Sequence, residues 1–422
     1  MSIKAEIKKS SMKVFRRILM KRRGTDGEYE ATWQTLPSSS IHKFGNIDKG
    51  IDTVKQNHYA SSGFNFVVQN NNGYYSDITE DKSFFFQQLS RYRTLVKVEA
   101  GYIQDDGTEL PTNPSLFVGL LKPDMPYTYN NLINFGADHL DQIFKEFPSD
   151  RVPGLGAVQT AKSIIEKIRD TTDGADNLIF QKYISSGGWN ITSSARTYNI
   201  ATSASLEGKS VWDFMKQLAE AENNMLFIDR SGDFNFIEKD ASGTRVYHFS
   251  GIGYSDNTYG RNILKNISVD EDIRNVYNRV RIKYDKADTS SSYKIKNETW
   301  TWGDSSSSNK YGIKTYEYEN LFMTEAVASE TAIAIYDEYS DAKEVVQMQT
   351  KFVPQLDILD IIDATYKTVI RTGDALWGFF TWDNALWGER TGKNIDIDGD
   401  YKITKINHNL NNFTSDLTLR EI

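Results

Sequence analysis

Apolar and polar residues alternate with a period of two over most of this chain, the signature of strands with one buried face. In VYNRVRIKY, Val280, Ile282 and Tyr284 alternate with Arg279, Arg281 and Lys283, which predicts a half-buried strand. GFNFVVQNNNGYYSDI, starting at Gly63, reads as an apolar strand, an Asn-Gly turn and an aromatic strand, the pattern of a hairpin. Further on, Leu95, Val96 and Val98 precede Tyr102 and Ile103, and Asp106-Gly107 turns the chain toward Leu116, Phe117 and Val118. Residues 12–125 together predict an antiparallel barrel, closed or nearly so. Within them DKSFFFQQLSRY fits a short helix and a strand equally.

The period lengthens in the middle of the chain. Val158, Ala161, Ile165 and Ile168 fall on one helical stripe. In KSVWDFMKQLAEAENN, Ser210 is placed to cap a helix with Asp213 three residues on, and Val211, Met215, Leu218 and Ala219 form its apolar face. Two strands around an Asp-Arg-Ser-Gly turn follow, so a helix packed on a hairpin is expected, with Asp229 and Asp233 serving turn chemistry rather than a metal. Strand patterns return from about Ser268 with another hairpin signal, interrupted by a helical MTEAVASETAIAIYDEYSDAKE. VVQMQTKFVPQLDILDIIDATY then predicts strands around Pro354, and DYKITKINHNLNNFTSDLTLREI two strands that close a barrel. The division expected is a basic arm (1–11), a first β-barrel (12–125), a mixed α/β part (126–268) and a second β-barrel (269–422).

Composition supports this mainly β reading. Among 422 residues there are 23 Tyr, 22 Phe and 8 Trp but only 8 Pro, a balance that suits pleated sheets. The length calls for two or three domains. With no cysteine, a disulfide framework, a thiolate metal site and a thiol nucleophile are all excluded, which fits folding in a reducing cytoplasm. No apolar run reaches the roughly 20 residues of a membrane span, and the start lacks the apolar core of an export signal. Charge is uneven: residues 1–23 carry nine Lys or Arg against one Glu, on a chain whose net charge is −8. An acidic body argues against wrapping DNA by phosphate neutralisation. The basic segment therefore reads as a charged edge strand or a docking arm for an acidic neighbour.

Motifs with possible chemistry are weak. Glu207 to Ser210 ends like a phosphate-binding loop, but Ser203 stands where the leading glycine belongs and no apolar strand precedes it. Asn394, Asp396, Asp398 and Gly399 match the first half of a calcium-binding loop, yet Lys405 occupies the position of the bidentate Glu; an Asp-Gly turn between two strands is the plainer account. His42, His58, His139, His248 and His408 show no metal-ligand spacing on a helix. No serine sits in a nucleophile elbow. No catalytic, cofactor-binding or metal-binding residue is assigned, and no enzyme activity is expected. The oddest segment is GDALWGFFTWDNALWGERTG, in which Trp377, Trp382 and Trp387 recur every five residues. That spacing is not helical. It predicts a loop insert at 374–392 whose partner-contact candidates are Trp377, Phe379, Phe380, Trp382, Leu386 and Trp387.

Taken in order, VEAGY…LFVGLL, SVWDFMKQLAEAENNMLFIDRSGDFNF, NVYNRVRIKY, the following helix, VPQLDILDIIDATY and YKITKINHNLNNFTSDLTL resemble the tail-hub family of phages and related injection machines. The resemblance is an order of elements over most of the chain and includes no catalytic signature. It implies two tail-tube-like antiparallel β-barrels with a mixed α/β middle domain, and three subunits forming a ring of six barrels. Such a ring sits between a tail tube or distal tail protein and a spike or fibre, in a virion assembled in host cytoplasm, and lines part of the DNA channel. It implies no cofactor and no sequence-specific nucleic-acid binding. The tryptophan insert has no place in the family pattern. Two other classes fit the residues: a receptor- or carbohydrate-binding tail protein using Trp377 to Trp387, and a tail-associated glycosidase using a carboxylate pair.

Overall fold

A computed structural model of the chain describes residues 13–24, 27–51, 59–61, 63–75, 83–85, 93–122, 131–155, 158–173, 177–192, 196–199, 208–238, 245–250, 263–285, 297–303, 307, 310–320, 322, 325–367 and 396–422. Its first ten strands are β1 (Lys13–Lys21), β2 (Gln34–Thr35), β3 (Ile41–Phe44), β4 (Asn46–Ile51), β5 (Tyr59–Ser61), β6 (Phe64–Gln69), β7 (Leu95–Ile103), β8 (Glu109–Leu110), β9 (Ser115–Leu121) and β10 (Leu132–His139). Eight of these make one antiparallel sheet in the order β2-β1-β7-β9-β10-β6-β3, with β8 beside β7. The guanidinium of Arg16 on β1 lies 4.5 Å from the ring centroid of Phe44 on β3, so the sheet curls until its two ends nearly meet. The alternation seen in the sequence is the reason. Phe64, Phe66 and Val68 on β6, and Val96, Val98, Ala100 and Tyr102 on β7, all point into one buried core.

The middle of the chain adds β11 (Val158–Thr160), β12 (Trp189–Ile191), β13 (Thr197–Asn199), β14 (Asn224–Ile228) and β15 (Phe234–Glu238). The helix Val211–Glu222 begins where the capping residues placed it. Ser210 Oγ accepts from the Asp213 N–H at 3.1 Å, and the helix ends on Asn223 in the left-handed region. The helix Ala161–Arg169 starts later than the stripe predicted. Thr160 caps it, and Val158 instead lies on the short strand β11, 61% exposed. The β14–β15 hairpin turns as expected: Asp229 Oδ1 accepts from the N–H groups of Ser231 and Asp233 at 2.8 and 3.0 Å.

The remaining strands are β16 (Arg245–Ser250), β17 (Ile263–Glu271), β18 (Arg279–Asp285), β19 (Asn297–Gly303), β20 (Thr315–Asn320), β21 (Glu344–Lys351), β22 (Ile361–Lys367), β23 (Asp396–Asn409) and β24 (Thr414–Glu421). The second large sheet runs β16-β22-β23-β24-β21-β17, and the β4–β5 hairpin crosses from the first half of the chain to join it at β23. Set aside the side strands, and each large sheet holds six strands in the chain order first-fourth-fifth-sixth-third-second: β1, β3, β6, β7, β9, β10 in one and β16, β17, β21, β22, β23, β24 in the other. The match extends to single hydrogen bonds. Asn70 N–H donates to Asn131 O at 2.9 Å between the third and sixth strands of the first sheet, and Phe352 N–H donates to Phe413 O at 3.1 Å at the same place in the second.

Several expectations change. β16 runs parallel to β22, whereas β1 is antiparallel to β7, so the second sheet is mixed. β18, β19 and β20 form a separate sheet. Val280, Ile282 and Tyr284 on its central strand pack with the helix Glu325–Tyr339 into the core of the middle elements. β23 and β24 lie inside their sheet, not at a closing edge. β10 belongs to the first sheet although it lies beyond residue 125. After β6 the described part of the predicted second aromatic strand, Tyr74 and Tyr75, is a turn. Both rings pack tilted against Phe84, and Tyr75, Phe84 and Phe85 are buried in the core. One core joins the inner faces of both large sheets, and a second joins the middle elements to Leu95, Val118 and Leu120 on the far face of the first sheet.

Candidate functional site

The seam where the two repeats meet joins them through buried polar contacts. Lys49 on β4, only 5% exposed, places Nζ 3.0 and 3.1 Å from the two carboxylate oxygens of Asp357, in the loop between β21 and β22. The Asn411 side chain, in the β23–β24 turn, accepts from the Phe44 N–H at 3.4 Å and donates to the Phe44 carbonyl at 2.7 Å, as a neighbouring strand would. Arg16 donates to the Leu410 carbonyl and packs over Phe413 as well as Phe44, and the Tyr102 hydroxyl donates to the Phe352 carbonyl. The β14–β15 turn completes the joint. Arg230 donates to Pro354 O at 3.0 Å, and the Arg230 carbonyl accepts from Ser115 Oγ at 2.5 Å.

Burial sets the protonation states here. Loss of water pushes the Asp360 carboxyl up to about 7, with the nearby Asp357 carboxylate adding to the effect against Arg230 and Lys49. His408 is enclosed, with Nδ1 2.8 Å from Ser415 Oγ and its ring edge-on to Phe352. Burial, then the Lys49 charge, holds it neutral, down to about 3. Leu359 sits between these groups at φ 70°, a left-handed conformation that a branched side chain rarely takes. The arrangement places charges that neutralise one another. It joins the two repeats through side chains from both.

One constellation does resemble catalytic geometry. His248 Nδ1 is 2.7 Å from Asp363 Oδ2, and His248 Nε2 is 3.3 Å from the Thr365 hydroxyl. Thr365, however, is 8% exposed and also reaches the Phe249 carbonyl, and Arg245 ties the same region to Asp400 at 2.6 Å. These contacts fasten the parallel edge strand β16 to β22. Two surface cavities, of about 280 and 350 Å³, lie elsewhere: one between the helix Glu325–Tyr339 and β24, the other over Gln347, Gln349, Asn407 and Asp416.

The basic N-terminal strand is engaged within the chain. Arg17 pairs with Glu99 at 2.6 Å and Glu109 at 2.9 Å, and Arg22 with Glu30 at 2.8 Å. Asp398 and Gly399 lie within β23, paired with Thr365 and Ala364, so no turn forms at that Asp-Gly and the segment does not wrap around an ion as a calcium loop would. Among the described residues no three His, Asp or Glu side chains converge as a metal site. Trp377, Phe379, Phe380, Trp382, Leu386 and Trp387 lie outside the described residues; their insert leaves from Lys367 and returns at Asp396, which are paired across β22 and β23. Lys49, Asp357, Asn411 and Arg16 carried no local signal in the sequence. Their partners are about three to four hundred residues away, and only a polar residue at an inward strand position, such as Lys49 in NIDKGI, hints at them.

Against solved structures, the fold matches phage tail proteins along nearly its whole length. The tail protein from Neisseria meningitidis MC58 superposes with a TM-score of 0.53 at 10% identity, covering 97% of this chain and 96% of that one. The 43 kDa tail protein of prophage MuSo2 from Shewanella oneidensis gives 0.50 at 12% identity, covering 96% and 98%. Prophage tail protein gp18 from Listeria monocytogenes EGD-e gives 0.50 at 12% identity, covering 96% and 94%. The chain thus has a phage tail protein fold, the group that its order of sequence elements resembles. No protein-family model and no curated protein sequence matches it.

Proposed function

We propose that the chain is a structural subunit of a phage-type tail, a hub that forms a trimeric ring between the tail tube and a distal spike or fibre and lines part of the DNA channel. The observation that carries this reading is the internal repeat: two six-strand sheets of identical order, locked by a buried seam, make one chain a pair of equivalent blocks. Three copies would present six blocks, matching a sixfold tube on one side and a threefold spike on the other. The pairing of Arg17 with Glu99 and Glu109 and of Arg22 with Glu30 supports a structural role for the first strand over nucleic-acid recognition. In this reading the insert containing Trp377, Phe379, Phe380, Trp382, Leu386 and Trp387 docks on a neighbouring subunit or tail partner. Its two ends meet at the Lys367–Asp396 pair, so the whole insert is an excursion where about two to five residues would connect the strands.

Light scattering of the purified chain tests the ring, with a trimer expected. Replacing Trp377, Trp382 and Trp387 together by alanine should leave the monomer's melting temperature nearly unchanged while impairing ring or tail assembly. A triple variant that melts early but whose folded fraction assembles normally would place the insert on its own barrel.

A further inference from the structure

The smaller of the two surface cavities, about 280 Å³ between the helix Glu325–Tyr339 and β24, is lined by three cations. Lys402 on β23 and Arg420 on β24 are directly paired across the two strands, so both side chains leave the sheet on the same face. Lys343, just before β21, adds the third. Like charges placed directly opposite each other on neighbouring strands repel, so a purely structural account needs a carboxylate beside each of them. Only Arg420 has one. Glu338 Oε1 lies 3.2 Å from its guanidinium, while Lys402 and Lys343 form no ion pair among the described residues.

Arg420 is fixed in place rather than free to sweep the surface. Its side chain is 8% exposed, it donates to the Glu338 carbonyl at 3.1 Å, and its guanidinium lies 3.9 Å from the centroid of the Tyr339 ring. Its Nε–H is buried and has no hydrogen-bond partner among the described residues. A buried donor without an acceptor is costly, and a guanidinium presents its N–H groups in the geometry a carboxylate accepts. Beside the cations the cavity wall is apolar, with Ala334 from the helix and Ile422, 54% exposed. Asp337 and Glu421, both exposed, complete the lining. Cations next to an apolar wall suit an anion with a hydrocarbon part, and the two exposed acids repel a ligand that brings a second negative charge.

We propose that this cavity binds a single carboxylate, seated against Lys402, Lys343 and Arg420 with its hydrocarbon part on Ala334 and Ile422. The carboxylate comes from a free small acid or from an acidic residue of a partner protein, and the test separates the two sources. The site is independent of the ring reading above, since every residue that forms it belongs to one copy of the chain.

Titration calorimetry of the full chain with hexanoate, hexanamide and hexyl phosphate tests the site. Hexanoate should bind, its neutral counterpart hexanamide should not, and hexyl phosphate, a dianion above its second pKa of about 6, should bind more weakly than hexanoate. Lys402→Gln should weaken hexanoate binding at least about tenfold. Because that substitution relieves a like-charge pair, it should not lower the melting temperature of the ligand-free chain. Hexanoate should raise the melting temperature of the wild-type chain and not that of the variant. If hexanoate does not bind, but Lys402→Gln keeps the wild-type melting temperature and is left out of assembled tails, the carboxylate belongs to a partner protein. No hexanoate binding together with normal incorporation of the variant overturns the proposal. So does equal binding of hexanamide, or tighter binding of hexyl phosphate. A ligand-free Lys402→Gln chain that melts earlier than wild type would mean that Lys402 is compensated within the chain, and the site would fall with it.

Discussion

Replacing Lys49 by methionine tests the seam at its most buried charge. Lys49 is 5% exposed and Asp357 23%, so the substitution leaves a carboxylate that water reaches only in part. Removing one member of a buried ion pair costs about 3–5 kcal/mol, because the survivor keeps its desolvation penalty without its partner. Partial solvent access to Asp357 places the expected loss near the lower end, about 3 kcal/mol. Arg230 remains close and the methionine stem keeps the apolar packing, so the loss is electrostatic rather than a cavity effect. At an unfolding entropy of about 2 cal/mol/K per residue, a cooperative unit of this size loses about 3 °C in melting temperature. Calorimetry at pH 8 reads this directly. Adding Asp357→Asn removes the orphaned charge and should recover more than half the loss. A Lys49→Met chain that melts within 1 °C of wild type, or a double variant no better than the single one, would show that the pair does not hold the repeats together.

Two further outcomes follow from close packing and from protonation. A methyl group at Gly119 on β9 would lie 2.1 Å from the Asp138 carbonyl and 2.6 Å from the Phe117 ring, so Gly119→Ala should destabilise by about 1–3 kcal/mol in urea unfolding; a neutral result would mean that β9 and β10 separate freely. Asp360, raised to about 7, keeps a proton that the unfolded chain releases above about pH 4, so its contribution to stability falls as pH rises from about 4 to 7. Asp360→Asn, which keeps an acceptor for the Asp357 N–H, should match wild type at pH 4 and exceed it at pH 8, and lower stability at pH 8 would refute the assignment. His408, held neutral down to about 3, acts oppositely: stability is lost as pH falls from about 6.5 toward 3, because the unfolded chain takes up a proton that the buried ring refuses.

What the sequence determined by itself was local. Ser210 with Asp213 marked a helix start, Asp229 to Asp233 marked a turn, and period-two runs marked β7, β18, β23 and β24, because capping, turn chemistry and a buried strand face depend on residues within a few positions of one another. The succession of those elements also pointed to the tail-protein fold. Tertiary structure alone decided which strands meet. Period two tells a strand which face is buried but not which neighbour it pairs with, so β4 crossing to β23 and β18 packing on the middle helices left no trace in the pattern. β16 enters its sheet from the middle elements at the end where β22 begins, which makes that pair parallel where β1 and β7 are antiparallel. Val158 shows the converse: a helical stripe extended through it, but the chain is in a strand there and Thr160 caps the helix two residues later. The seam residues belong to the same class. Lys49 with Asp357 and Asn411 with Phe44 are pairs between distant parts of the chain, and their value exists only once both repeats have folded and excluded water between them.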